Sequence, residues 1–367
     1  MRTKTKLTVL PGDGIGPEVI TQAMRVLRTV ADLCGYELEV RECPVGGVAI
    51  KQSQSPFPRA TMDACLESDA VLLGAVGGLE YDTLPRNMRP ETGLLQLRTA
   101  LGGYANLRPA ISYPCLSAGS PLRAEVTQGA NILIIRELLG GLYFGEPRQK
   151  TDDVAFNTMR YTLPEIQRVA RIGFEQARKR KRKLTSIDKA NVLEVSQLWR
   201  DTVAALAAEY PDVTLDHLYV DAAAMHLVMN PRRFDVIVTE NLFGDILSDE
   251  AAVITGSLGM LASATIGGQV ALYEPVHGSA PDIAGKGIAN PLGAIATVAM
   301  LLRHTLGLQQ EADDVEAAIS QVLEQGYRTA DLHRGAGAQL VSTTEMGERV
   351  EAAVAEKINR RHSYHAV

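Results

Sequence analysis

The feature that most constrains the fold is the alternation of short apolar runs with segments of helical periodicity near the start of the chain. Residues 7–10 form an apolar run, a glycine-rich turn follows at 12–16, and apolar residues then recur at helical spacing over 17–35. Residues 36–40 alternate as a strand, and the apolar run at 69–74 is typical of a buried strand. The order strand, helix, strand predicts an α/β fold with a largely parallel sheet.

The rest of the chain repeats this alternation. Further strands are predicted at 131–135, 184–187, 214–220 and 234–239, and helices at 163–183, 195–210, 294–306, 315–323 and 345–358. Each of these strands runs into polar or charged residues, and ligands of open α/β sheets bind at the carboxyl ends of strands. A binding site is therefore expected there. The basic run 178–183 is predicted to be a solvated helix end, an interpretation favoured over a nucleic-acid patch.

Composition excludes several classes of protein. The 367 residues carry 37 basic and 43 acidic side chains, a net charge of −6, which argues against a dedicated nucleic-acid binder. Four scattered cysteines form neither a disulfide framework nor a zinc-binding spacing. No apolar stretch approaches the roughly 20 residues that span a bilayer. We therefore predict a soluble, cytoplasmic protein with neither membrane nor nucleic-acid partner.

Two aspartates lie four residues apart in the segment 244–250. On a helix, Asp245 and Asp249 would project from one face about 5–6 Å apart. Such like charges repel each other unless a cation lies between them, and Mg²⁺ or Mn²⁺ takes ligands of this kind. An acidic first turn, stabilised by the helix dipole, explains the pair equally well. Asp221, at the end of a predicted strand, is a candidate third ligand.

Three arginines are predicted to lie where apolar elements end: Arg98, Arg108 and Arg136. A guanidinium group binds a carboxylate through paired hydrogen bonds, so that three converging arginines would suit a dicarboxylate. Each one taken alone is more simply a surface ion-pair partner. The glycine turn is not a Rossmann fingerprint, because Pro17 stands where G-x-G-x-x-G requires glycine, and no P-loop sequence is present.

Six segments carry a resemblance to a known family: 10–18, 89–98, 136–146, 188–192, 241–249 and 277–285. The chain resembles the decarboxylating β-hydroxyacid dehydrogenases, the family of isopropylmalate, isocitrate and tartrate dehydrogenases. The resemblance implies a two-domain, isopropylmalate-dehydrogenase-like α/β fold with a large mixed, mostly parallel sheet flanked by helices, distinct from a Rossmann fold. It also implies a terminal domain of residues 1–103 plus 256–367, a central domain of residues 104–255, and an active site in the cleft between them.

The resemblance implies an activity as well. The reaction would be NAD-dependent oxidation of (2R,3S)-3-isopropylmalate and loss of CO₂ to give 4-methyl-2-oxopentanoate, a step of leucine biosynthesis. By position, Lys189 would take the hydroxyl proton and Tyr143 would help to protonate the enol carbon. The substrate carboxylates would bind Arg98, Arg108 and Arg136, and Mg²⁺ or Mn²⁺ would bind Asp221, Asp245 and Asp249, with Asp221 also counted as catalytic.

Specificity follows from two further segments. Glu91, Leu94 and Leu95, together with Val192, are expected to line the substrate pocket, where an apolar wall favours an isopropyl group over a third carboxylate. The resemblance assigns the cofactor site to Ile15, Glu274, His277, Gly278, Ser279, Ala280, Asp282, Ile283 and Asn290. Among these residues, Asp282 would bond the adenosine ribose and repel a 2′-phosphate, so NAD is expected rather than NADP.

Family members are homodimers, and the same is expected here. The central domain would form the dimer interface, with Lys189 and Asp221 reaching into the partner's site, and the terminal domain would hold most of the NAD site. Related alternatives are a D-malate, tartrate or isocitrate dehydrogenase. A non-catalytic regulatory subunit is disfavoured because every expected catalytic residue is present.

Overall fold

The computed structural model describes residues 4–334 and 337–365, and the chain divides into two compact units. The first unit comprises Met1–Gly103 and Gly256–Val367, and the second is the continuous segment Tyr104–Thr255. The second unit is thus an insertion in the chain of the first.

The strands and helices alternate along the chain. The strands are β1 (Lys4–Gly12), β2 (Glu37–Glu42), β3 (Ala70–Ala75), β4 (Ala105–Ile111), β5 (Asn131–Glu137), β6 (Gln149–Lys150), β7 (Ala155–Phe156), β8 (Lys183–Asp188), β9 (Thr214–Tyr219), β10 (Val236–Thr239), β11 (Ala262–Ile266), β12 (Ala271–Pro275), β13 (Tyr327–Arg328) and β14 (Gln339–Leu340). The helices are α1 (Gly16–Cys34), α2 (Gly47–Ser53), α3 (Arg59–Leu66), α4 (Pro90–Leu101), α5 (Ala124–Thr127), α6 (Leu163–Arg178), α7 (Glu194–Leu206), α8 (Val220–Met229), α9 (Asn241–Thr255), α10 (Leu292–His304), α11 (Gln309–Glu324) and α12 (Thr343–His365).

In the first unit, the main strands lie in the order β2-β1-β3-β12-β11. The pairs β1–β2, β1–β3 and β3–β12 are parallel, whereas β11 and β12 are antiparallel. Every residue of β3 is buried, as its continuous apolar sequence predicts. Gly12 pairs with Ala75 in the β1–β3 register, so the glycine turn after β1 lies beside the loop after β3.

In the second unit, the main strands lie in the order β4-β5-β10-β8-β9. The β4–β5 pair is antiparallel and the other three pairs are parallel. Helix α9 contributes Leu247, Ala251 and Ile254 to a core cluster that also contains Ile134 of β5 and Ile237 of β10. Burial of this apolar face determines which side of α9 is left for polar residues.

The predicted α/β class is confirmed, with local differences from expectation. The helix predicted over 163–183 ends at Arg178, and residue 183 already begins β8. Within the basic run, Arg180 donates to the buried carboxylate of Asp235 at 2.8 Å rather than extending into solvent. Arg108 lies within strand β4, not at the end of an apolar element. Over residues 4–334 and 337–365, no helix is long and apolar enough to cross a membrane.

Candidate active site

The candidate active site of the second unit is centred on the Asp245 carboxylate. Asp245 lies in the second turn of α9, on the polar side opposite the buried Leu247. Its oxygens accept hydrogen bonds from the Nη1 of Arg136 and, at 2.8 Å, from the hydroxyl of Tyr143. The Nη1 of Arg108 lies 3.5 Å from the same carboxylate. Three side chains from β4, β5 and the following turn therefore converge on one helix residue.

Asp249 lies one turn further along α9, as the spacing of four predicts. Its Oδ1 is 3.6 Å from the Nη1 of Arg108, so that this cation lies close to both aspartates. Burial raises the pKa of the Asp249 carboxyl group, the Arg108 charge opposes that shift, and the charge of Asp245 adds to it. The two aspartates thus form an anionic pair, with Asp245 half-buried and Asp249 exposed, that favours a nearby cation.

The two arginines are buried and firmly held. Besides Asp245, Arg108 bonds the hydroxyl of Ser248 at 2.7 Å and, through Nε, the amide oxygen of Asn106 at 2.6 Å. Arg136 donates from Nε to the amide oxygen of Asn241 at 2.9 Å. Because each guanidinium is held on more than one side, its orientation is fixed before any ligand binds.

Tyr143 follows β5 in a short helical turn. Its hydroxyl donates to Asp245, and its ring lies 5.5 Å from the guanidinium carbon of Arg136. Burial and the Asp245 charge raise the pKa of the Tyr143 hydroxyl. The phenol therefore retains its proton at neutral pH and directs it to Asp245.

Lys189 and Asp221 form a separate ion pair. Lys189 directly follows β8, Asp221 lies in the first turn of α8, and their Nζ and Oδ1 atoms are 2.5 Å apart. The hydrogen bond from Lys189 lowers the pKa of the Asp221 carboxyl group. Within the part of the chain that the structure describes, no three His, Cys, Asp or Glu residues form a metal-binding group. Asp221 is thus not grouped with Asp245 and Asp249 within one chain.

The third expected substrate arginine, Arg98, lies on α4 of the first unit. Its Nη2 donates to the buried carboxylate of Glu274 on β12 at 2.7 Å. Among the described residues, the buried Nε of Arg98 has no hydrogen-bond partner. A buried, unpartnered donor is costly, and an anionic ligand would satisfy it.

Two loops of the first unit are joined beside the expected cofactor residues. The backbone N–H of Ile15 donates to the carbonyl of Ser279 at 2.8 Å. A Cβ on Gly14, whose φ is +59°, would lie 1.9 Å from the same oxygen, so only glycine fits there. A cavity of about 440 Å³ adjoins this junction, lined by Gly12, Asp13, Gly14, Gly77, Gly78 and Pro281 among others.

The remaining expected cofactor residues lie in the same unit. His277 is buried, and its Nδ1 lies 2.9 Å from the carbonyl of Gly278. Burial lowers the pKa of the His277 imidazole, and among the described residues its Nε2 has no hydrogen-bond partner. Asn290 is buried, whereas Asp282 is exposed in the loop after Ala280 and before Ile283. The segment thus offers an accessible carboxylate at Asp282 and a buried imidazole at His277.

The residues of the expected apolar wall are dispersed in the chain. Leu94 packs against the core cluster of the first unit, whereas Leu95 lines a cavity of about 440 Å³ with Phe57 and Met62. Glu91 is exposed in the first turn of α4. Val192 belongs to the second unit and is 66% exposed. A wall shared by residues of both units therefore stays a prediction.

Four site residues had not been singled out from the sequence: Asp13, Asn106, Asn241 and Ser248. Asp13 accepts hydrogen bonds from the backbone N–H groups of Gly47, Val48 and Gly77 and so ties three loops together. The strand pattern could have identified Asn106 as a neighbour of Arg108, because residues two apart on a strand share a face and Asn106 precedes Arg108 by two. The other three lie inside segments that carry the family resemblance.

Comparison with known proteins shows the family. The model of the isocitrate/isopropylmalate dehydrogenase family matches residues 6–350. A 3-isopropylmalate dehydrogenase of Bordetella parapertussis is 58% identical over 95% of this chain and 99% of its own. That of Wolinella succinogenes is 51% identical over 96% and 99%, and that of Aquifex aeolicus 54% over 95% and 96%.

Solved structures that are similar to this chain include two dehydrogenases. The chain is similar to isocitrate dehydrogenase from Methylococcus capsulatus, with a TM-score of 0.84 and 37% identity over 96% of this chain and 99% of that one. It is also similar to a β-decarboxylating dehydrogenase from Thermococcus kodakarensis, with a TM-score of 0.80 and 37% identity over 96% of both chains. The resemblance read from the sequence is confirmed, and the chain belongs to the isocitrate/isopropylmalate dehydrogenase family.

Proposed function

We propose that this chain is an NAD-dependent, decarboxylating 3-isopropylmalate dehydrogenase that uses Mg²⁺ or Mn²⁺ and forms 4-methyl-2-oxopentanoate for leucine biosynthesis. Relatives of that name are 51–58% identical over nearly the whole chain. The observation that carries the proposal is the cluster around Asp245, in which two buried arginines and a tyrosine hydroxyl converge on a carboxylate. Such a cluster suits an anionic hydroxyacid that must be bound and then protonated.

The residues around the aspartate pair fit a divalent ion. Asp245 and Asp249 supply oxygen ligands, which Mg²⁺ and Mn²⁺ prefer. Burial, together with the charge of Asp245, raises the pKa of Asp249, and a bound cation would stabilise its ionised form. We assign Asp221 as the third ligand. A bound ion would polarise the hydroxyl and carboxylate oxygens of the substrate.

The side chains divide the remaining chemistry among them. Arg98, Arg108 and Arg136 bind the substrate carboxylates through charge-assisted hydrogen bonds. Lys189 would accept the proton of the substrate hydroxyl in its neutral amine form, and bound NAD would supply the hydride acceptor. After CO₂ leaves, Tyr143 donates its phenolic proton toward the enol carbon.

The cofactor is proposed to bind the first unit through the residues that the resemblance assigns, from Ile15 to Asn290. The glycine-lined cavity fits a bulky ligand that approaches the backbone closely, and the unpartnered Nε2 of His277 fits a ligand with a polar edge. Asp282 would accept from the adenosine ribose hydroxyls and disfavour a 2′-phosphate by charge repulsion.

Substrate preference is proposed to follow from Leu94, Leu95 and Val192, with Glu91 at the pocket edge. An isopropyl group gains on the order of 2 kcal/mol by leaving water for such a wall. A third carboxylate there would lose its hydration without a partner, at a cost of several kcal/mol. Isopropylmalate is therefore preferred to isocitrate.

One experiment tests this function. NADH formation is followed at about pH 7.5 with Mg²⁺ and NAD, comparing 3-isopropylmalate, isocitrate, D-malate and tartrate, each repeated with NADP. The expected result is preference for 3-isopropylmalate and NAD. Preference for another acid would contradict the assigned pocket, and failure with all four acids would favour a non-catalytic subunit.

Cofactor selection has its own test. The double variant Asp282→Lys, Ile283→Tyr lacks the repelling carboxylate and supplies a cation for a 2′-phosphate. The kcat/KM for NADP should rise by at least tenfold relative to that for NAD, a shift of about 1.4 kcal/mol. The matched control, Lys286→Ala on the same loop, should leave the ratio unchanged. An unaltered ratio in the double variant would refute the role of Asp282.

The protein is also proposed to be a cytoplasmic homodimer in which Lys189 and Asp221 serve the partner's site. Among the residues that the structure describes, Cys34, Cys43 and Cys65 form no disulfide, which suits a reducing compartment. Apolar side chains on α8 and α9 are exposed: Met225, Val228, Met229, Ile246 and Val253. Exposed apolar surface of this kind is typical of a protein interface.

A further inference from the structure

Each of the two arginines beside Asp245 is held by a buried asparagine. The Nε of Arg108 donates to the amide oxygen of Asn106 at 2.6 Å, and the Nε of Arg136 donates to that of Asn241 at 2.9 Å. Both asparagines are fully buried. The two contacts repeat the same chemistry on two different elements, a strand and a helix.

The orientation of the Asn241 amide is determined by its other contacts. Its Nδ2 donates to the carbonyl of Leu138 at 3.1 Å and to that of Gly140 at 3.0 Å. The oxygen of the amide must therefore face Arg136, because the nitrogen is occupied by two acceptors. The same amide also anchors the turn that leads to Tyr143.

A neutral acceptor differs from a carboxylate at these positions. Asp245 already lies against both arginines and Asp249 against Arg108. Two further carboxylates at the Nε atoms would cancel the attraction of the guanidinium groups for an anionic substrate. An amide oxygen fixes the direction of each guanidinium and adds no net charge.

We propose that Asn106 and Asn241 are positioning residues that orient Arg108 and Arg136 toward the substrate carboxylates without adding further negative charge to the site. The proposal rests on the proposed function, since it takes both arginines to bind substrate. It adds a reason why the site has asparagine, not aspartate, beside each arginine.

The first test replaces the amide by a carboxylate of the same shape. Asn106→Asp keeps the acceptor for Arg108 and adds one negative charge. The KM for 3-isopropylmalate should rise about tenfold or more, in line with a lost charge-assisted interaction, while the KM for NAD stays within about twofold. An unchanged KM for 3-isopropylmalate would overturn the proposal.

A matched control is available in the same unit. Asn131, at the start of β5, accepts from the Nη2 of Arg180 at 2.8 Å, so it makes an equivalent arginine contact outside the site. Asn131→Asp should leave both KM values unchanged. If Asn131→Asp raised the substrate KM as much as Asn106→Asp, the effect would be general electrostatics and the proposal would be wrong.

The second test separates positioning from mere stability. The variants Asn241→Ala, Arg136→Lys and their combination form a double-mutant cycle, with urea unfolding measured for each. If Asn241 acts through Arg136, its removal lowers kcat/KM in the parent but has little further effect in the Arg136→Lys variant. Independent, multiplicative losses would overturn the proposal. An Arg136→Lys variant with normal kcat/KM would instead contradict the proposed role of Arg136 in substrate binding, while the function is tested by the substrate comparison above.

Discussion

At the scale of single residues, two buried glutamates beside the site link stability to pH. Glu240 precedes α9 and accepts from the backbone N–H groups of Leu242 and Phe243 at the start of that helix. Burial raises the pKa of Glu240 to about 7. Burial also raises the pKa of Glu137, whose oxygens accept from the N–H groups of Leu139 and Gly140.

The raised pKa of Glu240 predicts how unfolding depends on pH. The folded state binds the proton more tightly than the unfolded state, so this contribution to stability is complete below pH 4.5 and is lost as pH rises through about 7. The full change in the free energy of unfolding across that window is about 3 kcal/mol. Glu240→Gln should flatten this part of the pH dependence.

Urea unfolding at several pH values between about 5 and 8 measures the effect. The difference between the parent chain and Glu240→Gln is the relevant quantity, because it cancels the titration of all other groups. The exposed residue Glu324, changed to glutamine, serves as the control and should follow the parent curve. If the free energy of unfolding of Glu240→Gln depended on pH in the same way as that of the parent chain, the pKa of Glu240 would not be raised in the folded state.

At the scale of secondary-structure elements, α9 joins the core to the active site. Leu247, Ala251 and Ile254 belong to the buried cluster, while Asp245 and Asp249 lie on the polar side of the helix. Gly244 allows the close approach of α9 to β5, because a Cβ there would lie 2.8 Å from the Cβ and Cγ of Arg136.

Gly244→Ala should therefore displace α9 or Arg136. We expect a loss of about 1–3 kcal/mol in the free energy of unfolding, typical of an overpacked contact, and a higher KM for 3-isopropylmalate. Thermal unfolding and steady-state kinetics measure the two effects. Gly173→Ala, in the interior of α6, is a control whose Cβ meets its nearest side chains at 3.3 Å and should leave the KM unaltered. A normal KM for Gly244→Ala would mean that Arg136 tolerates the added methyl group.

The sequence predicts strand positions and helix faces correctly where they depend on local periodicity. The i, i+4 spacing placed Asp245 and Asp249 on one helix face, and the apolar runs located β3, β5 and β10 within a few residues. The position of Arg108 between the aspartates could not be predicted, because it depends on the antiparallel pairing of β4 with β5. Nor could the length of α6 be predicted, because Asp235, which binds Arg180, comes 55 residues later in the chain.

At the scale of the whole molecule, the proposed sharing of residues between two chains can be tested by complementation. Lys189→Ala and Asp245→Asn should each abolish activity. In a mixed dimer, the site with an intact Asp245 receives an intact Lys189 from the other chain. Random co-assembly of the two inactive variants should thus restore about a quarter of the parent activity.

The control pairs variants that no exchange can rescue. Asp245→Asn mixed with Asp249→Asn should stay inactive, because both residues lie on the same helix of one chain. If the Lys189 and Asp245 variants also remain inactive after mixing, with dimer formation verified by sedimentation, each site is built from one chain.

The division of the chain into an interrupted unit and a continuous one has a consequence for biosynthesis. When the ribosome has translated residue 255, every residue of the second unit has been made. The first unit at that moment still lacks β11 and β12, and β12 is one of the two parallel partners of β3. Since domains fold as units during synthesis, Tyr104–Thr255 can form its core while the N-terminal strands remain unpaired on one side until the last third of the polypeptide is made. The nascent chain therefore carries an open, apolar β3 edge throughout synthesis of the second unit, and such an edge is prone to pair with other chains until β12 covers it.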